Sequence, residues 1–189
     1  MRIVRNMAAA SVMIVVCASG AAGQDRSKVG VTMGYPASVG IIWHLGDKVA
    51  IRPELSFSGN SSESTTPSAN AVASESEGWT LGTGISALFY LHDYDRVRTY
   101  FSPHFTYNKI KTTISSTNGV FDASSTGRSS TYGIAGNFGA EGRIADKFSA
   151  FGEVGFGYNH STTSTTSSSV RSDGDAWGTR AGVGVIFYF

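Results

Sequence analysis

Residues 181–189 read AGVGVIFYF, with Val183, Val185, Phe187 and Phe189 alternating with Gly182, Gly184, Ile186 and Tyr188. A period of two is the signature of a β-strand, whose successive side chains point to opposite faces. The same period runs through 49–57, VAIRPELSF, where Val49, Ile51, Pro53, Leu55 and Phe57 share one face and Ala50, Arg52, Glu54 and Ser56 the other. It recurs in 79–91, WTLGTGISALFYL. A helical period of 3.6 would scatter these sets around a cylinder.

Eight such runs can be placed, at 28–35, 38–45, 49–59, 78–91, 98–114, 129–144, 148–161 and 175–189. Pro36 presets one backbone angle for a tight turn between the first two. From residue 46 onward the connections alternate in length. Short ones fall at 46–48, 92–97 and 145–147. Long Ser/Thr-rich ones fall at 60–78 (NSSESTTPSANAVASESEG), 115–127 (SSTNGVFDASSTG) and 162–175 (TTSTTSSSVRSDGD). An up-and-down barrel with one rim of tight turns and one rim of long loops has this order. The long stretches lack apolar periodicity and are expected to be mobile, solvated loops. Residues 60–77, 115–128 and 162–174 are then the contacting surfaces, with Glu63, Glu75, Glu77, Asp122, Asp173 and Asp175 as contacts for cations or polar partners.

Composition points to a membrane setting. Charged residues make up 15% of the 189, against roughly 25% in typical soluble proteins. Gly numbers 23, Phe 11, Tyr 8 and Trp 3. Beyond the N-terminus there is no apolar run of about 20 residues, so a helical span is excluded there. The alternative that pairs every backbone group in lipid is a closed barrel.

The N-terminus reads as a secretory signal over 1–23. MRIVRN carries Arg2 and Arg5, MAAASVMIVVCA supplies a short apolar core, and SGAAG supplies small residues for cleavage. The barrel domain is then 24–189. Cys17 leaves with the signal, so no disulfide, thiol nucleophile or Cys-ligated metal is expected. The 15 basic residues lose two, Arg2 and Arg5, and 13 then stand against 14 acidic ones. With no broad basic field, nucleic acid is not expected as a partner.

In a membrane barrel the apolar face points outward. That set, which includes Ile51, Leu55, Phe57, Phe105, Ile134, Phe138, Val154 and Phe156, holds no charge. Trp43, Trp79, Tyr107, Tyr158 and Trp177 fall near strand ends and read as interfacial girdles. The inward face carries Arg52, Glu54, Arg98, His104, Glu141, Arg143, Glu153 and Arg180, interleaved with glycines. Eight strands enclose an interior just wide enough for side chains to fill, and charges there must be paired. The expectation is one internal salt-bridge plug of four arginines and three glutamates, ringed by His44, Tyr90, Tyr100 and Tyr188. A proton or ion path through the same residues is the functional alternative.

No strong enzymatic motif is present, and His44, His92, His104 and His160 lack metal-ligand spacing. No cofactor is expected. The one arrangement with catalytic types is YNHSTT at 158–163, since some small outer-membrane barrels deacylate lipid A with a His, a Ser and an acidic residue. Here Ser161 is adjacent to His160 and so faces the other way in a strand, and Thr162 stands at the matching spacing.

The signal sequence, the eight alternating runs, the hairpin YPASVGIIWHLGDKVAIRPELSFS at 35–58 and the terminal FYF together resemble the small outer-membrane β-barrel family, the OmpA/OmpX-like eight-stranded class. The likeness covers the mature chain and is architectural. It implies an all-β, eight-stranded antiparallel up-and-down transmembrane β-barrel in the bacterial outer membrane, reached by signal-directed secretion and closed as a monomer by pairing of the first and last strands. Its partners would be outer-membrane lipid and lipopolysaccharide, with the barrel assembly machinery during insertion. That machinery would read Val183, Val185, Phe187 and Phe189 as the assembly signal. The expected role is non-enzymatic, structural or surface-interacting; the alternatives are a lipid A-modifying enzyme and a narrow conduit for small solutes.

Overall fold

The computed structural model describes residues 28–36, 38–66, 72–117, 122–166 and 168–189. The expected signal sequence over 1–23, with Cys17, lies outside the described residues, as do the tips of the long connections.

The described residues form eight strands: β1 (Val29–Tyr35), β2 (Ser38–His44), β3 (Val49–Thr66), β4 (Val72–Tyr94), β5 (Val97–Thr117), β6 (Asp122–Ala145), β7 (Phe148–Thr165) and β8 (Ser168–Tyr188). Each pairs antiparallel with its sequence neighbour, and β1 pairs with β8 from Gly30↔Tyr188 to Tyr35↔Val183, closing the ring. Closure gives every strand a ladder partner on both sides at the level of β1 and β2, so the ring itself has no open edge. All eight expected runs are strands, and the architecture is the expected up-and-down barrel.

The expectation of long mobile loops is corrected. The β3–β4 ladder continues through Ser58↔Thr80 and Glu63↔Glu75 to Thr66↔Val72. The β5–β6 ladder runs to Thr117↔Asp122, and β7–β8 to Thr165↔Ser168. Residues 60–66, 72–77, 115–117, 122–128, 162–165 and 168–174 are therefore strand, hydrogen-bonded into long hairpins. Both faces of these segments are polar, so apolar contrast disappears while the backbone pattern persists. Thr also fits a pleated surface well. The barrel wall is consequently uneven, with seven residues in β1 and β2 against 24 in β6.

The opposite rim is tight. The connection expected over His92–Val97 shrinks to a two-residue turn, Asp95-Arg96, in which Asp95 takes a φ of 34°. That left-handed conformation is one that Asp tolerates better than most residues.

Polarity is inverted relative to a water-soluble fold. Phe57 is 71% exposed, Val154 62% and Phe138 61%, whereas Arg52 is 2% exposed. Inside, Ile42, Ala50, Leu88 and Ile186 form an apolar layer with Tyr90, Tyr100, Phe151 and Tyr188. Three inward aromatic rings lie over glycines on the neighbouring strand: Tyr100 over Gly139, Phe151 over Gly184 and Tyr188 beside Gly30. A methyl group at Gly139 would stand 2.5 Å from the Tyr100 ring, and one at Gly184 would stand 2.6 Å from the Phe151 ring. The missing side chains let these rings lie flat against the wall and fill a narrow lumen.

Candidate functional site: the charged lumen and its rims

Arg52 and Glu54 are two residues apart on β3 and share the inward face. Arg52 Nε lies 2.7 Å from Glu54 Oε1, and its Nη2 reaches 2.6 Å from Glu153 Oε1 on β7. Tyr100 on β5 donates its hydroxyl to the same Glu153 oxygen at 2.8 Å. The guanidinium also sits 4.7 Å from the centre of the Phe151 ring. One buried cation thus ties β3 to β7, flanked by two carboxylates and an aromatic face, the pairing that a low-dielectric interior requires. His104 Nε2 is 3.8 Å from Glu54 Oε2, beyond hydrogen-bond length.

A second cluster lies toward the tight-turn rim. Glu141 accepts hydroxyl protons from Tyr90 at 3.0 Å and Tyr188 at 2.7 Å. The Tyr188 oxygen is 3.2 Å from His44 Nε2, and the His44 ring stacks on Tyr90 with centroids 5.5 Å apart. Arg98 Cζ lies 3.6 Å over the Tyr90 ring, while its Nη2 donates to the Asp47 carbonyl at 2.8 Å.

The eight residues expected to form one plug therefore divide. Arg52, Glu54, Glu153 and His104 meet; Glu141 and Arg98 belong to the second cluster, joined through Tyr90 and not by a salt bridge. Arg180 lines the cavity on the long-hairpin side and closes no ion pair with a described carboxylate. Arg143 is exposed at the tight-turn rim and donates to the Asp95 carbonyl at 3.1 Å. It keeps its inward facing, opposite the buried Ser149 and beside Glu141 in the rim cavity, and the register shift between Arg143 and Ala145 falls beyond it, just before the turn.

Cavities approach this layer from both rims. One of about 740 Å³ is bounded by Lys28, His44, Asp47, Arg98 and Glu141, and one of about 530 Å³ by Glu54, His104, Asn137, Glu153 and Arg180. Ser86, Ser102 and Asn137, all at most 1% exposed, add a polar belt near the Arg52 layer. Sequence reasoning missed this belt, because uncharged residues gave no contrast on the inward face.

At the long-hairpin rim, His160 Nδ1 is 2.7 Å from Asp175 Oδ1, which also accepts from the Tyr158 hydroxyl at 2.5 Å. Asp175 is held below the usual carboxylate range, chiefly by the Tyr158 hydroxyl and then by His160. The Thr162 hydroxyl is committed to Asp173 at 2.7 Å and the Ser161 hydroxyl to the Gly174 carbonyl at 3.3 Å. Neither donates to His160, so the geometry pairs a histidine with an acid but joins no hydroxyl nucleophile to them. Val183, Val185, Phe187 and Phe189 all lie on the outer face, exposed or half-buried.

No protein-family model matches the chain, and no curated protein matches it. Among solved structures, a major outer membrane protein from Thermus thermophilus is similar over 87% of this chain and 100% of that one, with a TM-score of 0.51 and 11% identity. CarO2 of Acinetobacter baumannii is similar over 86% and 98%, with a TM-score of 0.47 and 12% identity. Ail, the attachment invasion locus protein of Yersinia pestis, is similar over 85% and 95%, with a TM-score of 0.33 and 10% identity. At such identities the likeness concerns the fold, and the Thermus protein carries it. The chain is an eight-stranded antiparallel barrel with the fold of the outer-membrane β-barrel proteins.

Proposed function

We propose that the chain is a monomeric, non-enzymatic integral protein of the bacterial outer membrane, secreted by its N-terminal signal, whose closed lumen supports long polar hairpins beyond the outer surface. The observation that carries this reading is the inverted polarity: an apolar, uncharged outer face around a buried Arg52–Glu153 pair. Such an exterior suits lipid, where a charge on the lipid face would cost about 2–4 kcal/mol at the midplane. The Ser/Thr-rich hairpins are the surface offered to partners outside, and lipopolysaccharide surrounds their base. Val183, Val185, Phe187 and Phe189 serve the assembly machinery as an alternating, lipid-facing signal.

The test is direct. Purified protein in lipid vesicles should migrate faster on a denaturing gel before boiling than after it, should fractionate with the outer membrane, and should release no acyl chain from lipid A. Recovery as a soluble periplasmic protein with unchanged migration on boiling would overturn the reading.

A second reading, a narrow conduit, is favoured by the two cavities that approach the Arg52 layer from opposite rims. It requires the Arg52 pairs to separate. Ion conductance across a planar bilayer that rises when Glu153 is replaced would support it; a silent bilayer supports the closed scaffold.

A further inference from the structure

Beyond the aromatic layer, the outward face of β5 to β8 changes character. Tyr107 stands opposite Tyr132, and two residues further along the strands Lys109 stands opposite Ser130. Two residues beyond that, Lys111 stands directly opposite Arg128. The same row continues through Arg128↔Ser164 and Ser164↔Arg171, so it carries cations on three of four neighbouring strands, with Lys109 just below. Like charges directly opposite one another on one sheet face are destabilising. Arg171 has Asp173 at 3.4 Å, but no described carboxylate forms an ion pair with Lys109, Lys111 or Arg128. Lys109, Lys111 and Arg128, grouped on one face without a described ion-pair partner, suit an anion.

The surface beneath it is the reverse. An apolar groove of about 650 Å³ is bounded by Ile85, Pro103, Phe105, Ile134 and Phe156, where Ala87 and Gly136 project too little to fill the wall. Groove and basic row lie on the same strands. From Phe105 to Lys109 the chain advances about 13 Å. An anionic group above and a long apolar slot below, both facing outward, match one class of molecule.

Resting on the outer-membrane reading given above, we infer that this face binds the phosphate-bearing headgroup of an outer-leaflet lipid through Lys109, Lys111 and Arg128, with one acyl chain of that lipid in the groove. The charge of the row selects phosphate, and the groove selects a lipid over free phosphate.

The experiment uses the full chain in phosphatidylcholine nanodiscs containing a small fraction of either diphosphorylated lipid A or its dephosphorylated form, with lipid retention read by native mass spectrometry. Retention of the phosphorylated form alone is expected. It should fall about fivefold for each cation removed in K111Q and in K111Q/R128Q. A87F, which fills the groove, should weaken lipid retention and leave any binding of inorganic phosphate unchanged. Equal retention by the parent protein and K111Q/R128Q overturns the site. Displacement of the lipid by inorganic phosphate at matched concentration overturns the lipid assignment. Should K111Q/R128Q fail to fold, as read by gel migration before and after boiling, K109Q and a salt series decide: retention indifferent to both overturns the proposal. Insertion without selective retention defeats this inference alone, whereas failure of the parent protein to insert defeats the outer-membrane reading with it.

Discussion

Arg52 and Glu153 meet at 2.6 Å across the lumen, from β3 and β7, with the arginine side chain 2% exposed. Neither strand neighbours the other in the sheet, so this pair ties opposite walls of the ring.

Removing Arg52 leaves the Glu54 and Glu153 carboxylates without their cation in a low-dielectric interior. R52M is expected to destabilise the barrel by about 3 kcal/mol, read as a lowered urea midpoint in lipid vesicles. Adding E54Q and E153Q to R52M should recover part of that loss, because no buried carboxylate is then stranded. A triple variant as unstable as the sum of the three single ones would refute the coupling.

Glu141 is served by two tyrosine hydroxyls. Y188F and Y90F should each cost about 1.5–3 kcal/mol, the range for a hydrogen bond to a charged group. The combined variant should cost more than their sum, since Glu141 then loses both tyrosine donors at 5% exposure. Urea unfolding of the four proteins measures it.

The Tyr100 ring rests on Gly139. G139A drives a methyl group into that ring and displaces the hydroxyl from Glu153. A loss of about 2 kcal/mol is expected, typical of overpacking. Adding Y100F should not deepen the loss by a full hydrogen bond, because the bond to Glu153 is already broken; a fully additive double variant would argue that the ring had not moved.

Outside the barrel, Asp173 and Asp175 are both held below the usual carboxylate range, Asp173 mainly by the Thr162 hydroxyl and Asp175 by Tyr158 and His160. A depressed folded pKa contributes stability above the ordinary carboxylate range and loses it as pH falls through the depressed value. The β7–β8 hairpin should therefore show lower amide-hydrogen protection factors, corrected for intrinsic exchange, below the ordinary carboxylate range than at neutral pH. D175N should flatten that dependence. A profile unaltered by D175N and D173N would contradict the assignment.

Where apolar and polar residues alternate, as in Val49–Phe57, the sequence disclosed both the strand and its two faces, because lipid and lumen impose opposite demands on adjacent residues. From Asn60 to Thr65 both faces meet water, the contrast vanishes, and strand became indistinguishable from loop. Interior pairing was partly legible. Arg52 and Glu54 are neighbours on one face by spacing alone, but their union with Glu153 depends on the curvature of the closed ring. Arg143 faces inward as its spacing implies, but it stands at the rim in contact with solvent, and facing alone did not show that it lies outside the buried network. The match of Tyr100 with Gly139, and the cationic row at Lys111 and Arg128, depend on the register between β5 and β6, which alternation within either strand does not specify.

The difference between seven residues in β1 and β2 and 18 to 24 in the other six strands gives the molecule a front and a back. Behind stands a tall palisade in which β6, at 24 residues against seven in the low sill of β1 and β2, runs some 55 Å further along the strand at about 3.3 Å per residue, a rise shortened by the tilt of barrel strands. Gly34, Tyr35, Pro36 and Ser38 on that sill border the long-hairpin cavity. A molecule travelling along the membrane surface would meet the chamber through this doorway, while one arriving at the back would meet a wall. The barrel is thus directional within the membrane plane as well as across it.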